Sequence, residues 1–166
     1  MFREMRRNRQ LLSQADSAAV LDRGGSGVLA LSGDDGYPYA VPLSYVRQKD
    51  KLFFHCATTG HKLDALQRSD KASFCVIDQD QVVPEAYTTW FRSVIAFGRL
   101  RILEDEGEQR KALTLLAQKY APEAGEEGLE QEIGKAAGRL CVLELSIEHM
   151  TGKEAIELVK ARSSFS

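Results

Sequence analysis

The chain has 166 residues, 43% of them hydrophobic and 28% charged, with a formal net charge of −2. That length supports one domain, spanning 1–166, with a substantial core. The near-neutral balance gives no general attraction to nucleic acid or to acidic membranes, so an anionic ligand would need a local site.

The longest apolar runs, such as 28–31 and 141–145, are far too short to span a bilayer. The basic start, residues 1–10, continues into Ser-Gln-Ala-Asp rather than an apolar core segment, so it reads as an arm and not as a secretory leader. Cys56, Cys75 and Cys141 are odd in number and widely spaced, with no metal-binding pattern. The expectation is a cytoplasmic protein with reduced, buried thiols and no metal site.

Residues 13–21 read as a helix stopped by Arg23-Gly24-Gly25-Ser26-Gly27. These glycines lack the phosphate-loop pattern and follow no strand, so they are taken as a turn. A strand over 28–31 and an Asp-Gly turn over 32–36 lead to a returning strand over 37–46. That strand holds Pro38 and Pro42, which cannot donate to a ladder, so it is predicted to be an edge, a bulge or open on one side. Strands over 51–55, 72–77, 93–103 and 139–147 follow, with a short helix over 62–68, a polar loop over 78–85 and an aromatic-rich stretch over 86–92. Residues 106–120 form the clearest helix, acidic at its start and with Lys119 near its end. An acidic loop over 122–128, a short helix over 129–137, a turn over 150–154 and an amphipathic segment over 152–166 complete the chain. Six strands joined by tight turns argue for a mainly β fold, an antiparallel barrel or sandwich with peripheral helices.

The stretch from Phe53 to Leu66 stands apart. A strand breaks at Thr58-Thr59-Gly60 and opens a helix whose first residues are His61 and Lys62. Cations are unfavourable at a helix N-terminus, and the 106–120 helix has the opposite order. An anion held by the backbone N–H groups, the two hydroxyls and the two basic side chains would account for it; solvation of both cations is the alternative. His55 ends the preceding strand and is either half-buried and bonded to backbone or part of a cleft. Trp90 reads as a core or interface residue more often than as a stacking group for a flat ring. Ser93, beside Arg92, could add phosphate contacts or be an ordinary strand residue. Thr151-Gly152-Lys153 reads as a turn with a surface lysine. No Ser/His/Asp context and no paired metal histidines are present, so chemistry supplied by a bound cofactor is easier to support than chemistry by side chains.

Asp35-Gly36-Tyr37-Pro38-Tyr39-Ala40-Val41-Pro42-Leu43, the 52–66 stretch, Ser93-Val94 with Gly98, and Thr151-Gly152-Lys153 occur together in this order. In this the chain resembles the pyridoxamine 5′-phosphate oxidase-related flavoproteins, and within them the 5-nitroimidazole reductase-like branch. The resemblance implies a six-stranded antiparallel FMN-binding split barrel with Greek-key topology, forming a homodimer with flavin mononucleotide at the interface. It further implies that His61 and Lys62 hold the FMN phosphate, with Thr58 and Thr59 nearby. Pro42, Leu43, Ser44 and Tyr45 would lie along the flavin edge, and His55 would line the cleft as the candidate catalytic residue. Ser93 and Val94 would meet the cofactor, while Trp90, Thr151 and Lys153 would face the partner's flavin. The implied activity is an oxidoreductase acting on a small electron-poor substrate such as a nitroaromatic; a haem or deazaflavin cofactor, or a non-catalytic sensing module, are the alternatives. The arginine-rich R-x-x-x-L-K signature of the true oxidases is missing, so oxidation of pyridoxamine phosphate itself is not expected.

Overall fold

The structure, a computed structural model, describes residues 1–164; the end of the segment expected over 152–166 lies outside them. Helix α1 (Gln14–Arg23) starts where the Ser13 side chain accepts a hydrogen bond from Asp16 N–H, and it stops at Gly24. Strands β1 (Gly27–Ser32), β2 (Pro38–Leu43), β3 (Val46–Gln48) and β4 (Lys51–Ala57) follow, and helix α2 (His61–Arg68) then leads into β5 (Lys71–Val83). Strand β6 (Thr88–Ile102), helices α3 (Glu106–Tyr120) and α4 (Gly125–Ala136), strand β7 (Leu140–Glu154) and helix α5 (Ile156–Ser163) complete the order. The strands make one sheet in the order β2-β1-β5-β6-β7-β4-β3, and every pairing is antiparallel.

The mainly β antiparallel architecture is as expected. The strand count is seven rather than six because the segment read as one strand over 37–46 breaks at Ser44-Tyr45. That break gives the sheet its shape. Strands β2 and β3 are its two opposite edges, yet only two residues separate them in the chain. Three residue steps reach about 10 Å. The sheet must therefore curl until its edges nearly meet at this corner, and no ladder closes the gap. Pro38 and Pro42 sit on the free edge strand, as their missing N–H groups require.

Three sequence expectations are corrected. Residues 78–83 and 86–92 were expected as a loop and an irregular aromatic stretch, but most of them belong to a long β5–β6 hairpin. The polar run Asp78-Gln79-Asp80-Gln81 hid a hairpin whose distal half is largely open to solvent. Residues 150–154, expected as a turn, continue β7 against β6. Helix α4 starts at Gly125, inside the stretch expected as an acidic loop. Glu126 and Glu127 fall in its first turn, where acidic side chains are favourable.

The interior is filled from both directions. Leu52, Phe54 and Cys56 of β4 point into the main core with Phe74, Leu143 and Leu145, and α1 adds Val20 and Leu21. Phe74 meets Tyr45 and Phe54 edge to face, with ring centroids 4.8 and 5.1 Å apart. On the other face of β4, Phe53 packs with Val46, Val142, Leu103 and Leu116, which attaches α3. Gly98 lies where the β6–β7 register shifts, and a Cβ there would overlap the Ser146 carbonyl oxygen. Only glycine allows so close an approach.

Charged pairs tie α1 to the sheet and link its neighbouring strands β5, β6, β7 and β4. Arg23 and Arg92 both bond Asp78, at 2.5 and 3.0 Å, and Arg92 also bonds the fully buried Glu154 at 2.8 Å. The Arg23 hydrogen bond, against some desolvation and with help from Arg92, holds the Asp78 carboxyl below its usual range. Burial raises the Glu144 carboxyl, but bonds from Arg101 and Lys51 outweigh it and leave the net shift downward. Both groups have depressed folded values, so their stabilisation is full above the unfolded carboxylate range and is lost as pH falls through the folded value. The melting temperature should therefore fall on acidification below about pH 4, and Asp78→Asn should flatten that fall. An equally steep fall in the variant would remove Asp78 from the account.

Candidate functional site

The open corner between the sheet edges is the most distinctive feature of the surface. Strand β3 covers β4 only at residues 51–53, whereas β7 pairs with β4 along its whole length. Residues 55–57 of β4 therefore have a strand on one side only, and β2 is likewise unpaired on its outer side. Pro42 and Ser44 are exposed along that rim and Leu43 is half-buried. Tyr45 turns the other way: its ring is fully buried, and its hydroxyl donates to the Leu21 carbonyl at 2.6 Å. Its N–H donates to the Tyr120 hydroxyl at 2.9 Å, and its carbonyl accepts from Lys119 Nζ at 2.9 Å. At this position only the main chain reaches the corner, and both of its polar groups are bonded to α3.

The end of β4 runs into Thr58 and Thr59, both exposed, and then into Gly60, which caps α2 at φ 138° with open space around it. Such a backbone favours glycine. No side chain caps the helix. Leu63 and Asp64 N–H return to the Gly60 carbonyl, so the N–H groups of His61 and Lys62 belong to the uncapped first turn. That geometry fits an anion.

The two cations differ, however. His61 stacks on Tyr39 at 4.0 Å, and its Nε2 lies 3.4 Å from Asp34, which also pairs with Arg68 at 2.5 Å. Asp64 also falls in the first turn, so the charge order there is mixed rather than reversed. His61 thus has partners within the chain, and these pin α2 to β2. Lys62 is half-buried, and its charge acts on the Cys56 and Cys141 thiols beneath it. Lys62 is the better anion ligand of the two.

His55 is exposed on the α3 side of β4, opposite Val142 in register. It shares a cavity of about 430 Å³ with Ser44. The walls are Leu113, Leu116 and Tyr120 of α3 and Leu129 and Ile133 of α4, with Leu140 of β7. Two residues singled out from separate stretches of sequence therefore line one apolar chamber at the open corner. The helical roof was missed in the sequence because the α3 apolar face accounts equally well for packing alone. Leu129 and Ile133 gave a signal, a four-residue apolar spacing on an otherwise polar helix.

The remaining candidates form a second cluster. Ser93 lies opposite Lys153, and Ile95 opposite Thr151, on the β6–β7 ladder. Val94 is fully buried in the main core, so its side chain is committed there. Arg92 is engaged by Glu154 and Asp78 and adds nothing to an anion site. Trp90 lies on the hairpin opposite Gln81, and its indole N–H is enclosed without an acceptor. From Val142, opposite His55, to Thr151 the chain runs nine residues along β7, about 30 Å of strand. Across the sheet, Thr151 shares a register row with Ile95, Cys75, Val28 and Pro42. Among the described residues there is no cluster of three or more His, Cys, Asp or Glu side chains fit to hold a metal, and no helix is long and apolar enough to cross a membrane.

Residues 13–154 match the sequence profile of a family described as pyridoxamine 5′-phosphate oxidase. No curated protein matches significantly by sequence. Among solved structures, a protein assigned provisionally to 5-nitroimidazole antibiotic resistance, from Bacteroides thetaiotaomicron, is 19% identical with a TM-score of 0.71; the match covers 87% of this chain and 86% of that one. A conserved hypothetical protein from Mycobacterium tuberculosis is 17% identical with a TM-score of 0.78, covering 91% and 90%. A protein from Mycobacterium smegmatis that binds FAD and haem is 22% identical with a TM-score of 0.70, covering 89% and 73%. At these identities the likeness is one of fold.

Proposed function

Because the chain belongs to the pyridoxamine 5′-phosphate oxidase family, we propose that it binds FMN at the open corner of its sheet and acts there as an oxidoreductase on a small electron-poor molecule. The observation that carries this reading is the convergence of two unpaired strand edges, an uncapped helix start and an apolar chamber at one place. Lys62, the first-turn N–H groups and the Thr58 and Thr59 hydroxyls would hold the phosphate. The rim of Pro42, Leu43 and Ser44 would lie against the ring edge, and the Tyr45 main chain, braced by Lys119 and Tyr120, would keep that rim in place. FMN supplies the electron transfer. His55 would orient the acceptor and hold a proton at the chamber floor, while Leu113, Leu116 and Ile133 exclude water.

The second cluster supports a homodimer on this reading. Trp90 and Ser93 of β6 and Thr151 and Lys153 of β7 form one outer-face cluster that a second copy would meet. The outer face beside them carries Ile77 at 64% exposed and Val28 at 39%, apolar surface that a partner would cover. A nitroaromatic fits the chamber as a flat apolar ring with a polar group directed at His55 and Ser44.

A haem in place of FMN has less support. His149 stacks on Phe2 and His61 on Tyr39, which leaves His55 as the uncovered imidazole that would hold its iron. The test is the absorption spectrum and mass of the chromophore that copurifies. FMN with bleaching on reduction, and reoxidation by a nitroaromatic, is the expected result; no chromophore and no FMN uptake on titration would refute the proposal.

A further inference from the structure

The two thiols below the α2 start have a geometry of their own. Cys56 and Cys141 are direct partners across the antiparallel β4–β7 ladder. Directly opposite residues in such a ladder have Cα atoms about 4.5 or 5.5 Å apart, depending on the pair type. Both spacings lie inside the range of about 4.4–6.8 Å that a disulfide spans. Both side chains point into the main core, so they face the same way, and each thiol bears on the other's ionisation. Cys75 is also a free thiol, but it lies opposite Val28 and Ile95 and has no cysteine across from it.

We propose that Cys56 and Cys141 form a redox modification site, a cross-strand dithiol that a small peroxide converts into an intrachain disulfide. Neither residue is sealed off. Cys56 is 7% exposed and Cys141 9%, so the oxidant must be small. Burial pushes the Cys56 thiol up to about 11. Burial raises Cys141 too, but the neighbouring Cys56 works in the opposite sense, as does the charge of Lys62. Cys141 is therefore the easier thiolate.

The chemistry balances. The Cys141 thiolate attacks one oxygen of the peroxide, breaking the O–O bond and leaving a sulfenic acid plus hydroxide. The Cys56 sulfur then attacks the Cys141 sulfur, displacing the second oxygen as hydroxide and forming the S–S bond. Two thiol protons neutralise the two hydroxides, so hydrogen peroxide is reduced to two waters. The product would pin the end of β4 to β7 one turn before the residues that begin α2.

The test needs no flavin, so it stands apart from the functional proposal. Purified protein is treated with hydrogen peroxide, denatured in an alkylating reagent and weighed. Untreated chain should carry three adducts, one for each free cysteine. Treated chain should carry one, at Cys75, with a peptide pair joining Cys56 to Cys141. Cys56→Ser and Cys141→Ser should each abolish that pair, and Cys75→Ser should not. Retention of three adducts, a mass gain from sulfinic or sulfonic acid in place of the pair, or a disulfide through Cys75 would each overturn the assignment.

Discussion

Glu154→Ala is expected to destabilise the protein by about 3–5 kcal/mol, the range for breaking a buried ion pair from one side. The carboxylate is fully buried and accepts from Arg92 Nε at 2.8 Å. Arg162 pairs with it from α5. Removing it leaves two guanidinium groups facing each other, with Asp78 holding Arg92 at 3.0 Å and Asp16 holding Arg162 at 3.2 Å. Those remaining partners keep the chain foldable, so the loss can be read by urea unfolding. A loss under about 1 kcal/mol, the range for exposed pairs, would show that Glu154 works as a surface group. Because β7 carries Thr151 and Lys153 just before Glu154, the same variant should also loosen the second cluster.

Lys62→Ala is expected to weaken FMN binding roughly 10- to 150-fold while leaving the melting temperature of the flavin-free protein nearly unchanged. The basis is the loss of one charge-assisted hydrogen bond, about 1.5–3 kcal/mol. His61→Ala should cost less binding and more stability, since that ring is stacked on Tyr39 and faces Asp34. The contrast between the two variants separates an anion ligand from a brace. Titration of each with FMN, beside its melting curve, measures it. Equal affinity of Lys62→Ala and the unaltered protein would take Lys62 out of the phosphate assignment.

The fold was legible where local chemistry decides it. Pro38 and Pro42 announced a free edge, and the bounds of α3 followed from its acidic start and apolar period. The distal β5–β6 hairpin was not legible, because Gln79, Asp80 and Gln81 pair across the ladder with Asp80 and Gln81 exposed, and polar strands of this kind read as loops. The site was legible in part. The cationic start of α2 pointed to an anion, but Asp34 and Tyr39 come from a remote turn and strand, and no spacing rule connects them to His61. For Tyr45 and Val94 only three-dimensional packing reveals that the side chains belong to the core. The chamber over His55 depends on how α3 and α4 lean, which tertiary contact sets and sequence period does not.

The pairing of β4 with β7 also bears on how the molecule comes to exist. The Lys51–Glu144 contact at this junction joins residues 93 positions apart, whereas the β1–β2 and β5–β6 ladders are hairpins. Loop closure of that length comes late, after local contacts have formed. During synthesis His55, Lys62 and Cys56 leave the ribosome long before the strand that frames them. The corner therefore comes into being only when the last strand docks, and slow refolding kinetics should coincide with its appearance.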